Sequence, residues 1–266
     1  MRRTLLTPVF TAFGAVLLLF VSVPIVVMVT RQTPASLWRA LQEADVRSAL
    51  WVSVSGAAAA TAIALALGVP LGYILARREF PGKSVVQGLV DMPVVVPHTV
   101  AGIALLTVLS PAGIVGSPAQ AAGIRFVDAF PGTVAAMLFL SAPFVINAAR
   151  SGFEAVSPRL ENVSRSLGAG AWQTFLLVSL PLASGAIVSG AVMCWARAVS
   201  EFGAVIVLAY YPRVACTLIY ERYTGQGLSG SRPVAVLLVL VCLLFFVLLR
   251  LAARWRVGPT GAATNA

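Results

Sequence analysis

Charged side chains are scarce in this sequence. Only 11% of its 266 residues are Asp, Glu, Lys or Arg, whereas a soluble domain carries about 25%. Hydrophobic residues account for 59% of the chain, and the mean hydropathy is +0.93. This composition excludes a water-soluble fold and predicts a membrane protein.

The side chains that usually build active sites and metal sites are also few. There are nine acidic residues, one histidine and three cysteines, and the cysteines have neither disulfide nor zinc-ligand spacing. Gly225–Gly230 fits G-x-G-x-x-G, but it follows no predicted strand, and no P-loop is present. We therefore predict no catalytic residue, no metal site and no cofactor bound by this chain.

The net charge of +10 does not indicate a nucleic-acid partner. Lys83 is the single lysine, and the arginines lie at the ends of apolar runs instead of forming one basic patch. The basic excess is better explained by membrane topology, so we expect contact with lipid and none with nucleic acid.

Six apolar runs are long enough to cross a bilayer, whose core of about 30 Å needs roughly 20 residues per helix. They predict an all-α polytopic protein with a single transmembrane domain over residues 1–266. The predicted spans cover residues 9–29, 49–76, 84–109, 129–149, 182–210 and 233–249. The first run could be a signal peptide, but its length and the lack of a clear cleavage site favour a retained helix.

An even number of spans places both termini on one side of the membrane, and the positive-inside rule selects that side. The side of the termini carries Arg2, Arg3, Arg77, Arg78, Lys83, Arg150, Arg159, Arg165, Arg250, Arg254 and Arg256. The opposite side carries fewer, namely Arg31, Arg39, Arg47, Arg125, Arg213, Arg222 and Arg232. We predict an inner-membrane protein with cytoplasmic N- and C-termini.

Residues 151–181, between the fourth and fifth predicted spans, form a cytoplasmic segment with helical periodicity. Glu161 and Arg165 lie four residues apart and are expected to pair. Gly168 is expected to end this helix in a left-handed conformation, and a second helix is expected to carry Trp172. On these grounds alone, an interfacial amphipathic helix without a partner is an equally good interpretation.

The run Glu-Asn-Val-Ser-Arg-Ser-Leu-Gly-Ala at residues 161–169, continued by Leu180-Pro181, resembles the EAA loop of permease subunits of ABC importers. In that family the loop forms a coupling helix that inserts into a groove of the ATPase subunit. Asn162 and Val163 depart from the two usual alanines. The resemblance implies an ATPase-coupling role for Glu161, Arg165, Gly168, Ala169 and Trp172.

Three further segments resemble molybdate/tungstate permeases: residues 91–102, residues 196–204, and residues 217–222 together with 231–234. Sulfate permeases share the Arg-x-x-x-Glu-Phe-Gly block, whereas the Pro-His-Thr-Val-Ala-Gly run favours molybdate or tungstate. A sulfate or thiosulfate permease is therefore the alternative within the same class.

The resemblance implies a type I ABC importer permease, with ATP and Mg held by partner subunits. The expected assembly contains two copies of this chain, two cytoplasmic ATPase subunits and an external substrate-binding protein. A self-sufficient secondary anion carrier is the alternative in another class, but no inverted repeat is evident. A membrane-embedded enzyme is disfavoured by the missing acid/base or metal cluster.

Arg197 and Glu201 lie four residues apart within the fifth predicted span. A lone charge at the bilayer centre costs about 2.5–3.5 kcal/mol, so the two should face one another or an aqueous cavity. The competing interpretation is a structural ion pair. Prolines in the third span predict a kink near the pathway. The candidate pathway residues are Pro97, His98, Thr99, Arg197, Ser200 and Glu201.

Overall fold

The structure is a computed structural model that describes residues 6–256. Within these residues every regular element is a helix, which confirms the prediction of an all-α polytopic protein. Arg2 and Arg3, which contributed to the predicted orientation, lie outside the described residues, as do the side chains of Arg250, Arg254 and Arg256.

Twelve α-helices and one π-helical segment follow one another in the described part of the chain. The first six are α1 Leu6–Thr30, α2 Pro34–Gln42, α3 Ala44–Arg77, α4 Lys83–Val95, α5 His98–Leu109 and α6 Gly116–Ala121. The others are α7 Phe130–Ala155, α8 Pro158–Ser166, α9 Ala171–Thr174, the π segment Phe175–Ser179, α10 Leu180–Val199, α11 Gly203–Leu208 and α12 Ala215–Arg256.

Five continuous helical stretches of the described residues are long and apolar enough to cross a membrane. They are Thr7–Thr30, Ala44–Arg77, Phe130–Ala155, Ala171–Val199 and Ala215–Leu249. A sixth crossing results if α4 and α5 are taken together, although these helices are bent by 115°. The bend lies at Pro97, which has no N–H for a helix hydrogen bond, so the kink expected in this span is present.

Several boundaries differ from the predicted spans. The helix expected over residues 182–210 ends at Val199, and α11 begins separately at Gly203. The Glu201 carboxylate accepts a hydrogen bond from the Ala204 N–H at 2.9 Å, which caps the new helix and stabilises the break. Hydropathy alone could not locate this break, because the residues on both sides of it are apolar.

The predicted external loop between the fifth and sixth spans is largely helical. Helix α12 begins at Ala215, well before the predicted start at residue 233, and is kinked at Gly227, where φ is 69°. Helix α2 was not predicted, and Thr33 caps it by accepting a hydrogen bond from the Ser36 N–H. Glu43, which directly follows α2, forms an ion pair with Arg222 of α12.

Helices α3, α7 and α10 form the packed centre of the molecule. A Cβ atom added at Gly72 of α3 would lie 2.8 Å from the Ala149 Cβ of α7, and one added at Gly190 of α10 would lie 2.4 Å from the Ala148 Cβ. Glycine at these points therefore allows the backbones of the three helices to approach closely, as small residues do in membrane helices.

Candidate functional site

Two helix breaks meet within the predicted membrane spans, and the predicted pathway residues lie at this meeting point. One break separates α4 from α5, and the other separates α10 from α11. A Cβ atom added at Gly203 would lie 2.6 Å from the His98 Cβ, so the two breaks are in direct contact. Helical irregularities in a membrane occur where protein or water satisfies the freed backbone groups.

An electrostatic cluster of Arg197, Glu201 and His98 occupies this junction. Arg197 Nη1 lies 2.8 Å from Glu201 Oε2, without the alignment of a hydrogen bond. Arg197 Nη2 lies 2.8 Å from His98 Nε2, and His98 Nδ1 lies 3.6 Å from the same Glu201 oxygen. Because a guanidinium only donates, the His98 ring nitrogen is the acceptor in its contact with Arg197.

The three members of the cluster differ in their exposure. The Glu201 side chain has no exposed surface, whereas the side chains of Arg197 and His98 are 22% and 49% exposed. The cationic group therefore reaches the surface of the subunit while its counter-charge stays inside. An anion at this surface would meet a guanidinium whose charge is already partly offset.

The remaining predicted pathway residues lie beside the cluster. Pro97 and Thr99 are exposed at the start of α5. Ser200 is also exposed, and its hydroxyl donates to the carbonyl oxygens of Ala196 and Arg197 at 3.2 and 3.0 Å. The structure thus brings the six predicted pathway residues into one region of the subunit.

The predicted coupling segment forms a helical hairpin that ends in the π segment. Helix α8 is followed by Gly168, whose φ of 91° is the left-handed conformation expected there. The Trp172 ring is 72% exposed and stacks on Phe175 at a centroid distance of 5.6 Å. Arg165 is exposed on α8, and Ala169 borders a shallow apolar groove of about 680 Å³ with Leu160 and Leu167.

The expected pairing of Glu161 with Arg165 is not present, since Glu161 pairs with Arg77 at the end of α3. Arg77 Nε donates to Glu161 Oε1 at 2.9 Å, and the Ser179 hydroxyl donates to the same oxygen at 2.7 Å. Glu161 is only 5% exposed, because it lies on the face of α8 that contacts the membrane helices. Local spacing could not show this, since Arg77 is remote in the sequence.

A second polar contact within the membrane helices was also missed. Asn147 Nδ2 of α7 donates to Asp91 Oδ1 of α4 at 2.6 Å. The sequence did contain a signal for this contact, since Asp91 lies in the third predicted span and Asn147 in the fourth. Polar residues in membrane helices usually find polar partners.

Comparison with known proteins assigns the family. Residues 68–257 match the model described as the binding-protein-dependent transport system inner membrane component. The chain belongs to this family. The match confirms the resemblance to permease subunits of ABC importers, and it identifies the inner membrane component as a multi-pass transport subunit.

Relatives of the inner membrane component support the same assignment. This chain is 47% identical to the molybdate/tungstate transport system permease protein of Thermococcus kodakarensis, over 98% of this chain and 100% of that protein. This chain is 31% identical to a probable sulfate transport system permease protein of Chlorokybus atmophyticus, over 82% of this chain and 80% of that protein.

A solved structure shares the fold of the inner membrane component. A chain of the bacterial alginate ABC transporter, crystallised with an alginate pentasaccharide-bound periplasmic protein, superposes with a TM-score of 0.77. The match covers 98% of this chain and 97% of that chain at 18% identity, so it bears on the fold alone.

Proposed function

We propose that this chain forms the translocation pathway of an ATP-driven importer for a tetrahedral oxyanion, molybdate or tungstate. The observation that carries the proposal is the cluster of His98, Arg197 and Glu201 at the meeting of two helix breaks. A conducting path must attract its ion and still release it. A partly exposed guanidinium that is partly neutralised by a buried carboxylate fits this requirement.

The substrate proposal rests on sequence similarity. Identity to the named molybdate/tungstate permease is 47%, against 31% for the named sulfate permease. All of these ions are tetrahedral dianions, so the cluster chemistry suits each of them, and sulfate remains the alternative substrate.

Energy is proposed to come from two cytoplasmic ATPase subunits that bind ATP and Mg. The exposed apolar residues of the coupling segment support this, because Leu167 and Trp172 are 83% and 72% exposed. Exposed side chains of this size, next to Arg165 and the turn at Gly168, fit a docking surface for a partner protein. The chain itself is proposed to be non-catalytic.

A second copy of the chain is proposed to complete the pathway. His98, Thr99 and Ser200 are exposed within the predicted membrane spans, where polar groups facing lipid are costly. If two copies face each other across this region, a water-filled path between them solvates these groups. An external binding protein would deliver the substrate to the other end of this path.

The proposed orientation places both termini in the cytoplasm. The contact between Arg77 and Glu161 puts the end of α3 and the coupling helix on one side of the membrane. Arg78 follows Arg77 directly and Lys83 begins α4 after a short turn, so these basic residues cluster on the side proposed to receive the ATPase.

The test is ATP hydrolysis by the reconstituted complex of this chain, its ATPase and its binding protein in proteoliposomes. Binding protein loaded with molybdate or tungstate should stimulate hydrolysis more than binding protein supplied with sulfate. Equal stimulation by sulfate would assign the alternative substrate, and no stimulation by any of the three would contradict the proposal.

A further inference from the structure

One buried carboxylate joins the coupling helix to three other parts of the molecule. Glu161 belongs to α8, whose neighbouring residues Leu160 and Asn162 are exposed, yet its own side chain is only 6% exposed. A buried carboxylate is retained only where charge and hydrogen bonds compensate it. The groups that pair with the Glu161 carboxylate therefore identify the parts of the molecule that α8 contacts.

Arg77 supplies the compensating charge and also reaches a third helix. Its Nε donates to Glu161 Oε1 at 2.9 Å, and its Nη2 donates to the Val156 carbonyl oxygen at 2.8 Å. Arg77 is the last residue of α3, and Val156 directly follows the end of α7. The guanidinium fork thus fixes α3, α7 and α8 relative to one another.

The π segment connects the same carboxylate to α10. The Ser179 hydroxyl, at the end of this segment, donates to Glu161 Oε1 at 2.7 Å and is itself buried. A π turn has hydrogen bonds one residue longer than those of an α-helix, is rare, and recurs at functional positions. Here the wider turn ends at the serine that reaches Glu161.

Aromatic rings pack beside this junction. The Tyr73 ring meets those of Phe153 and Phe175 edge to face, at centroid distances of 5.1 and 5.0 Å. Exclusion of water lowers the local dielectric constant, which strengthens the interaction between Arg77 and Glu161. The contact is therefore suited to carry a displacement from one helix to the others.

We propose that Arg77 is a positioning residue for energy coupling. Its pair with Glu161 makes α8 move as one unit with the cytoplasmic ends of α3, α7 and α10, so that displacement of α8 opens or closes the path between the helices. The inference rests on the proposed function, in which an ATPase acts on α8.

A purely structural role for the pair makes a different prediction. If the pair serves folding alone, its loss lowers the yield or stability of the complex, but each assembled complex still transports the same amount of substrate per ATP. The ratio of oxyanion uptake to ATP hydrolysis, measured in the same proteoliposomes, separates the two roles.

The variants are Arg77→Met, the double variant Arg77→Met with Glu161→Met, and Arg78→Met as a control. Arg77→Met leaves an uncompensated buried carboxylate and can impair folding, whereas the double variant removes both charges. Arg78 is the adjacent exposed arginine and lies outside the junction. Each chain is reconstituted with its ATPase and binding protein, and assembly is measured by size-exclusion chromatography.

We expect the assembled double variant to hydrolyse ATP with uptake per ATP lowered about tenfold, in the range of typical coupling energies. Arg78→Met should match the parent. A double variant with the parental ratio, or one that does not assemble at all, would overturn the inference in favour of a folding role. Failure of the parent complex to transport any oxyanion would instead contradict the proposed function, so the two failures are distinguishable.

Discussion

At the residue scale, the stability of the buried Glu201 carboxylate depends on its ion pair with Arg197. A surface carboxylate that loses its partner is still solvated by water, whereas Glu201 is not. Glu201 has no exposed surface, and Arg197 is the cation nearest to it, at 2.8 Å. Removing one partner of a buried pair leaves a charge that water cannot solvate. The pair is therefore expected to matter for stability as well as for the anion path.

Arg197→Met should lower the free energy of unfolding in detergent by about 3–5 kcal/mol, because the buried Glu201 carboxylate loses its guanidinium partner. Adding Glu201→Gln should recover much of this loss, since the amide oxygen can still accept from the Ala204 N–H. Lys83→Met is the control, because it removes an exposed pair with Glu79 and should cost at most about 1 kcal/mol. Equal losses in the single and double variants would contradict this account.

Local spacing predicted one of the two principal ion pairs and failed on the other. Arg197 and Glu201 form the expected contact four residues apart. Glu161 and Arg165 have the same spacing, but Glu161 faces the membrane helices and pairs with Arg77. The difference is tertiary, because burial of one face of α8 depends on its docking against α3, which short-range periodicity does not report.

At the scale of helices, small residues determine how closely α3 and α7 pack. A Cβ atom added at Gly72 would lie 2.8 Å from the Ala149 Cβ and 3.0 Å from the Arg150 backbone nitrogen. Gly68 and Gly72 form a small-xxx-small pattern in the second predicted span, which is typical of closely packed membrane helices. This pattern could not predict which helix is the neighbour.

Gly72→Ala is expected to lower the free energy of unfolding by about 1–3 kcal/mol, because the backbones of α3 and α7 must separate to admit the methyl group. Gly88→Ala in α4 is the matched control, since nothing lies within 4 Å of an added Cβ there. Alanine is the better helix former, so the control should be neutral or stabilising. Thermal unfolding in detergent measures the stability of both variants. The same unfolding midpoint for Gly72→Ala and Gly88→Ala would refute the packing argument.

A second prediction at the scale of helices concerns the turn after α8. Gly168 has a φ of 91° with open space around it, so a larger residue there is penalised by backbone conformation and not by contacts. Gly168→Val should weaken binding of the ATPase, because the left-handed conformation costs a β-branched residue about 1–2 kcal/mol or more. Gly168→Asn should be better tolerated.

Gly170→Val provides the control for this turn, because Gly170 has a φ of −66° that any residue adopts. Titration of detergent-solubilised chain with labelled ATPase gives the affinities. If Gly168→Val and Gly170→Val bind the ATPase equally well, the left-handed turn is not needed for docking.

Interruptions of helices were harder to predict than the helices themselves. Pro97 indicated the bend between α4 and α5, because proline has a recognisable backbone effect. The break between Val199 and Gly203 has no such residue, and it depends on Glu201 capping α11. The π segment likewise ends at a contact with Glu161 that is distant in sequence.

At the scale of the whole molecule, the position of the pathway can be tested by chemical accessibility. Thr99 and Ser200 are exposed beside the cluster and are proposed to face water, whereas Leu17 in α1 is 64% exposed and is proposed to face lipid. A thiol reacts with a maleimide as the thiolate, which forms in water and not in lipid.

Thr99→Cys and Ser200→Cys should therefore react with a water-soluble maleimide, and excess molybdate or tungstate should slow the reaction in the assembled complex. Leu17→Cys should stay unreactive, and the parent chain reports the background from Cys194, Cys216 and Cys242. Reaction of Thr99→Cys no faster than that of Leu17→Cys would place the pathway elsewhere.

The central claim is that this chain conducts an oxyanion only when an ATPase drives it. The most direct measurement is uptake of radiolabelled molybdate or tungstate into proteoliposomes that hold this chain alone, or with its ATPase and binding protein, with and without ATP. The account predicts uptake only when all three components and ATP are present. Uptake by the chain alone without ATP would show a self-sufficient carrier and contradict the claim.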